Sequence, residues 1–382
     1  IKKINEINPD IVNLHWVNNE LLSIGQIGQI KQPIVWTFVD MWPMCGGEHY
    51  TETLRYKNGY FKNNKEFQQK WIDLNRLLWL RKKKKWKSKI KEVVCISDWL
   101  KDKALESDLF RNANIKKINC NIDLNIWKPI EKNIAKNILD LPTNKKLFLF
   151  VSTNGIADRR KGFMFIDSAL KKLSKERNDF ELIIVGKGAN IGKKDYNYRV
   201  IDRIFDGNPV ELRLIYSSCD LVLTPSTHEA FGQVALEAAS CGIPSIGFKE
   251  TGIVDIIQHK INGYLSNYLD QYDFDSGIKW ILNSNDNEFI SDLLDLHEHL
   301  ERDSLMQRIV IADINEENYT YNRIVEIDFS NDLRDLEELH QSRIEADARA
   351  RRYHEIIKKR DDPGLHKGLA AILGSIPQDF KK

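Results

Sequence analysis

Asp220-Leu221-Val222-Leu223-Thr224-Pro225-Ser226, followed closely by Glu229-Ala230-Phe231-Gly232-Gln233-Val234-Ala235-Leu236-Glu237, reads as an apolar strand, a turn carrying a glycine, and a small-residue helix that ends near Cys241-Gly242. Such a turn aims free backbone N–H groups and the positive end of a helix dipole at one point, which suits a phosphate. Glu229 and Glu237 flank that point, and carboxylates accept hydrogen bonds from sugar hydroxyls. One carboxylate for a sugar and one for a ribose describe a seat for a nucleotide sugar.

Outward from this stretch, short apolar runs alternate with helical patterns. Ile11 to Val17, Ile34 to Val39, Glu92 to Ser97 and Ile115 to Cys120 form one series. Leu147 to Thr153, Glu181 to Gly186, Leu221 to Pro225 and Ser245 to Phe248 form a second, with a further strand at Gly263-Tyr264-Leu265. Runs that are apolar on successive residues fit strands covered on both faces, hence parallel sheets with helices on each side. The polar interval from Trp127-Lys128-Pro129 to Asn144-Lys145-Lys146 separates the two series and reads as the connection between domains.

At 382 residues the chain is long enough for two domains with separate cores. Lysine and arginine total 57 against 55 acidic residues, a net +2 that gives no global pull toward nucleic acid. The charge is uneven, however. Arg81 to Lys91 interleaves basic residues with Trp86 and Ile90, directly after Trp79 and Leu80; it reads either as a solvated basic helix or as a helix lying on an anionic membrane surface. Five scattered cysteines form no C-x-x-C pair, which argues for a reducing compartment and against a disulfide framework or a zinc site. No apolar run reaches the roughly 18 residues of a membrane span, and no signal-peptide pattern opens the chain, so a cytoplasmic location is expected.

A second basic cluster, Arg159-Arg160-Lys161-Gly162, follows the strand ending near Val151 and precedes a helix. Gly186 and Gly188 follow the strand ending at Val185, a spacing that permits close approach of backbone to ligand. Asp40 follows another strand and precedes Trp42-Pro43 and Gly46-Gly47, while His15, Trp16, Asn18 and His49 are further candidates of ambiguous role.

Taken together, Pro225 to Glu237, Ala238 to Pro244 and Thr251-Gly252-Ile253 to Leu265 resemble the donor-binding signature of the GT4 family of retaining glycosyltransferases. Trp36 to Tyr50, with Pro9-Asp10 to Trp16 and Ser97 to Leu100, resembles the N-terminal domain of its polysaccharide-building members of the colanic-acid and capsule type. The resemblance covers residues 1 to about 285. It implies the α/β GT-B architecture: two doubly wound, Rossmann-like parallel-sheet domains facing a cleft. The expected division is an acceptor-side domain at 1–128, lacking the usual first strand and glycine-rich loop and so truncated, a nucleotide-sugar domain at 129–285, and an unassigned tail at 286–382.

The resemblance also assigns roles. Arg160 and Lys161 would neutralise the departing diphosphate, Glu229 hold the donor hexose and Asp40 act on the acceptor side. Gly186, Gly188, Ser226, Phe231, Gly232, Gln233, Val234 and Glu237 would bind the donor, with no metal and no cofactor beyond the donor sugar. Two departures stand out. Relatives carry an arginine five positions before the lysine, where this chain has Ile156, and a histidine immediately before the aspartate, where it has Val39. The implied activity is transfer of a hexose or hexosamine, with retention, to a surface polysaccharide or lipid-linked oligosaccharide at the inner face of the membrane, with no nucleic-acid partner. A donor-binding remnant, an epimerase and a hydrolase are the alternatives on the same architecture.

Two patterns read as decoys. Asp273-Phe274-Asp275 resembles a metal-binding D-x-D but fits the capping carboxylates of a helix start. His297 and His299, two apart, face different sides of a helix. In the tail, Arg308 to Ile314 and Arg323 to Phe329 read as strands and Ser330 to Arg360 as one long helix, a module for partners or of separate origin.

Overall fold

The computed structural model describes residues 1–17, 22–64, 72–153, 155–187, 191–202, 209–284 and 324–327. Its strands are β1 (Ile11–Leu14), β2 (Ile34–Phe38), β3 (Glu92–Cys95), β4 (Asn114–Lys117), β5 (Lys146–Val151), β6 (Phe180–Val185), β7 (Tyr198–Ile201), β8 (Leu221–Thr224), β9 (Ser245–Phe248), β10 (Gly263–Ser266) and β11 (Ile324–Ile327). They form two parallel sheets, ordered β11-β1-β2-β3-β4 and β10-β9-β8-β5-β6-β7. The chain divides into two compact units, one holding Ile1–Cys120 and β11, the other beginning at Asn121.

The division falls earlier than the polar interval suggests. Trp127 packs edge-on against Tyr216 at 5.8 Å, Ser217 Oγ accepts the Ile130 N–H at 3.2 Å, and Arg213 donates to the Lys128 carbonyl at 2.6 Å. Those contacts fasten the interval to the second unit. In the tail, the strand read within 323 to 329 is present as β11, which pairs parallel with β1 from Ile11↔Ile324 to Leu14↔Ile327 and extends the first sheet. The readings at 308 to 314, 330 to 360 and His297-Glu298-His299 lie outside the described residues.

In the second unit the apolar runs are buried on both faces, as continuous hydrophobicity requires. Leu147 and Leu149 of β5 join Ile215, Tyr216 and Ala238 in one core cluster, whereas Phe150, pointing the other way, meets Phe163 at 5.5 Å. From β5 the chain winds outward through β6 and β7, then returns to β8 on the other side of β5 and winds the opposite way. The order therefore reverses between β5 and β8. Ligands of doubly wound sheets bind at the carboxyl ends of the strands flanking such a reversal.

In the first unit, Trp36 of β2 stacks edge-on with Trp86 at 5.0 Å and Phe38 with Phe110 at 4.9 Å. The helix Leu74–Trp86 that carries Trp86 also turns Trp79 and Lys82 inward, and Ile90 just beyond it is buried as well. The membrane reading of this segment rested on apolar residues that, except for Leu80, belong to the core.

Candidate functional site

The loop after β5 folds into a tight basic turn. Asp158 caps it, its Oδ1 accepting the Arg160 N–H at 3.0 Å, and Gly162 ends it in the left-handed region at φ 71°. A β-carbon at Gly162 would lie 1.9 Å from the Pro225 carbonyl oxygen, so the turn sits directly against the segment following β8. Across that contact the Thr227 N–H donates to the Arg160 carbonyl at 2.8 Å, and the Arg160 guanidinium donates to the His228 carbonyl at 3.0 Å. Lys161 Nζ meets Glu229 Oε2 at 2.7 Å, and Ser226 Oγ donates to the same oxygen at 3.3 Å. Residues 68 positions apart in sequence are thereby joined at the reversal between β5 and β8.

A pocket opens here, lined by Lys161, Ser226, Glu229, Gly232, Val234 and Ile253, with Phe150 and Leu223 at its apolar side. Gly232 precedes the helix Gln233–Ser240 at φ 107°, and no side chain caps that helix. Its first amides, at Gln233 and Val234, therefore lack the usual side-chain acceptor, the arrangement that favours an anion at a helix start. The backbone of the turn is held from behind, where the Gly252 N–H donates to the Glu229 carbonyl at 2.7 Å.

The pocket unites Lys161, Glu229, Ser226, Gly232 and Val234 among the residues expected from sequence. Arg160 stands beside it, its guanidinium engaged with the His228 carbonyl and, at 3.1 Å, with Asp158. Phe231 is buried and Gln233 exposed. Gly186, at φ 155°, is required by protein packing, since a β-carbon there would lie 2.0 Å from the Ser152 carbonyl oxygen. Gly188 and Asn18 lie outside the described residues. Asp158, Thr227, His228 and Ile253 have no expected role of their own; the last three lie within the segments of the donor-binding resemblance, and Asp158, two positions before Arg160, is legible as a capping residue.

Glu237 faces the core side of its helix, where Oε2 accepts a 2.7 Å hydrogen bond from the buried Tyr216 hydroxyl. Burial raises its carboxyl to about 7, against the opposing effect of hydrogen bonds from Tyr216 and Gln233. A carboxyl whose folded value lies above its unfolded one holds its proton more tightly in the native state. Stability from this group is present below the unfolded value of 4.5 and lost as pH rises toward about 7. Glu237→Gln should therefore gain on the wild type by about 2 kcal/mol between pH 5 and pH 8, read from denaturant melts at both. An equal difference at the two pH values would mean that Glu237 is ionised in the native protein throughout.

In the first unit Asp40 follows β2 and is nearly buried, with Oδ1 accepting the Trp42 N–H at 2.9 Å and Oδ2 lying 2.6 Å from His49 Nδ1. The aspartate thus holds an imidazole from nine positions later in the chain, while Val39 occupies the place before it. Lys82 braces this loop from below by donating to the carbonyls of Trp42, Cys45 and Gly46. Burial lowers the Lys82 ammonium to about 7, yet three carbonyl acceptors match the three N–H donors of the charged form, and this geometry favours the ammonium. His15 is tied into the same unit, its carbonyl accepting from Trp36 Nε1 at 3.1 Å.

In the D-x-D pattern, Asp273 accepts from the Tyr264 hydroxyl and the Asn267 N–H, both at 2.7 Å, and Asp275 pairs with Lys172 at 2.6 Å. The helix cap itself is Asp270. Among the described residues no group of three or more His, Cys, Asp or Glu side chains is arranged to hold a metal ion, and no helix is long and apolar enough to cross a membrane.

Residues 131–297 match the family described as "Glycosyl transferases group 1". An uncharacterized glycosyltransferase of Methanocaldococcus jannaschii is 33% identical over 148 residues, 37% of this chain and 36% of that protein. The chain thus spans about a third of the length of the curated relatives it matches. Among solved structures, sucrose-phosphate synthase from Thermosynechococcus elongatus superposes with a TM-score of 0.60 at 17% identity, covering 82% of this chain and 75% of that one. Anabaena HepE in complex with UDP and glucose gives 0.60 at 16%, covering 82% and 80%. At these identities the likeness is one of fold, the GT-B class built from two parallel-sheet α/β domains.

Proposed function

We propose that the chain is a retaining glycosyltransferase that moves a hexose or hexosamine from a nucleoside-diphosphate sugar to a polysaccharide or lipid-linked oligosaccharide, without a metal, at the cytoplasmic face of the membrane. The observation that carries the reading is the meeting of Lys161, Glu229 and the uncapped start of the helix Gln233–Ser240 in one pocket, at the reversal of strand order. The family match over 131–297 supports it, and the UDP held by the HepE structure makes a uridine conjugate the first donor to try.

In this reaction the bond from the anomeric carbon to the diphosphate breaks, and its electron pair stays on the leaving oxygen. The Lys161 ammonium and the amides at Gln233 and Val234 stabilise that charge by preorganised electrostatics. The acceptor hydroxyl oxygen bonds to the anomeric carbon, and its proton passes to the departing phosphate. Glu229 accepts hydrogen bonds from donor hydroxyls, with Glu237 serving the ribose. Arg160 fixes the turn that presents Lys161, and Asp40 with its His49 partner serves the acceptor side.

The test is calorimetric titration with nucleoside diphosphates and their sugar conjugates in the presence of chelator, followed by product analysis. Chelator-resistant binding of one conjugate, with transfer to a glycan acceptor, is expected. Failure of every nucleotide to bind sinks the reading, and free sugar or an epimerised donor as the only product reassigns the chemistry to hydrolysis or epimerisation.

A further inference from the structure

Helix Leu74–Trp86 is fixed in rotation by its inward residues. Lys82 donates to the Cys45 and Gly46 carbonyls at 3.1 and 2.7 Å, Trp86 Nε1 donates to the Ile24 carbonyl at 2.9 Å, and Trp79 is buried. With 79, 82 and 86 on one side, the helical period sends 74, 77, 80, 81 and 84 to the other. Leu74, Leu77 and Leu80 are accordingly 64%, 52% and 38% exposed. Arg81, Lys84, Lys85 and Lys87 are exposed as well. The outward face therefore carries leucines in its first two turns and cations in its last, and the helix contains no acidic residue. Lys83 and Lys87 lie against Asp108, at 2.9 and 4.0 Å, on its flank.

We propose that this outward face docks on an anionic membrane surface, the leucines entering the boundary between headgroups and acyl chains while Arg81, Lys84 and Lys85 meet lipid phosphates. Grouped exposed leucines mark a surface made for an apolar environment. The three exposed cations beside them, Arg81, Lys84 and Lys85, unbalanced by any acid of the same helix, select a surface that is negative as well. A protein groove would satisfy the leucines but needs its own acidic rim; a bilayer containing anionic lipid supplies both by composition. The inference rests on the reading of the acceptor as membrane-borne only for its purpose. Vesicle binding is measured without nucleotide, so it fails or succeeds independently of the donor pocket.

The experiment is co-sedimentation of the full chain with phosphatidylcholine vesicles and with vesicles containing phosphatidylglycerol, at low and high salt. Binding to the anionic vesicles alone, weakened by salt, is expected. Lys84→Glu with Lys85→Glu should reduce it about 10-fold or more, and Leu77→Glu with Leu80→Glu by a similar factor. Reversal of Lys2 and Lys3, exposed on the separate helix Lys2–Ile7, should leave it within about 2-fold. All exchanged side chains are surface ones, and unchanged far-ultraviolet dichroism confirms that the variants fold. Absent binding, equal binding to neutral vesicles, or binding indifferent to both variants overturns the proposal. So does self-association without lipid that Leu77→Glu abolishes, which would assign the face to a second copy of the chain.

Discussion

Lys161→Ala is expected to weaken binding of a nucleoside diphosphate by about 100-fold, or about 3 kcal/mol, as read by calorimetry. The loss has two parts. The variant lacks the ammonium that would face the diphosphate, and it leaves Glu229, now 2.7 Å from Lys161, as an unopposed carboxylate at the same place. Wild-type affinity should fall steeply with salt and the variant's should be nearly flat, because the missing term is the screened one.

Glu229→Ala separates the two parts. It frees Lys161 from its present partner, so affinity for the diphosphate alone should hold or rise, whereas affinity for the sugar conjugate should drop about 10-fold through the lost hydroxyl contacts. Lys161→Ala with Glu229→Ala together should recover part of the single-variant loss, since neighbours that share a charge do not act additively. If Lys161→Ala binds diphosphate as the wild type does, the anion seat lies elsewhere in the unit.

Much of this site was legible locally. The strand, turn and small-residue helix from Asp220 to Cys241 occur where the apolar run and the glycine put them, and the basic turn at 159–161 follows its strand as read. What sequence order could not supply was adjacency. That Lys161 touches Glu229 depends on β8 returning to lie beside β5, a choice made by sheet topology rather than by either segment. The same limit explains the helix Leu74–Trp86. Its lysines look alike in sequence, yet Lys82 is buried because the loop from Trp42 to Gly46 offers it three carbonyls, contacts fixed by folding 36 or more residues away. Edge strands were harder for another reason. β7 is only four residues long and is interrupted by the exposed Arg199, and β11, although read as a strand, could be set beside β1 only by the fold.

Gly162→Ala should cost about 3–4 kcal/mol and lower the melting temperature by about 10 °C. Part of this is the left-handed backbone at φ 71°, worth about 1 kcal/mol for a residue with a β-carbon. The remainder is steric, because the new carbon would stand 1.9 Å from the Pro225 carbonyl oxygen and 2.9 Å from its carbon. Neither atom belongs to a flexible side chain, so relief requires the turn after β8 to move away from the turn after β5. Gly192 offers the control: its φ is 64°, and a β-carbon there meets nothing within 4 Å. Gly192→Ala should therefore lose only about 1 kcal/mol. The difference between the two variants isolates the contact that brings Lys161 to Glu229, and only Gly162→Ala should also weaken diphosphate binding at temperatures where both proteins remain folded. Equal losses in the two would mean that the turns tolerate separation and that close approach of β5 and β8 loops is not what builds the seat.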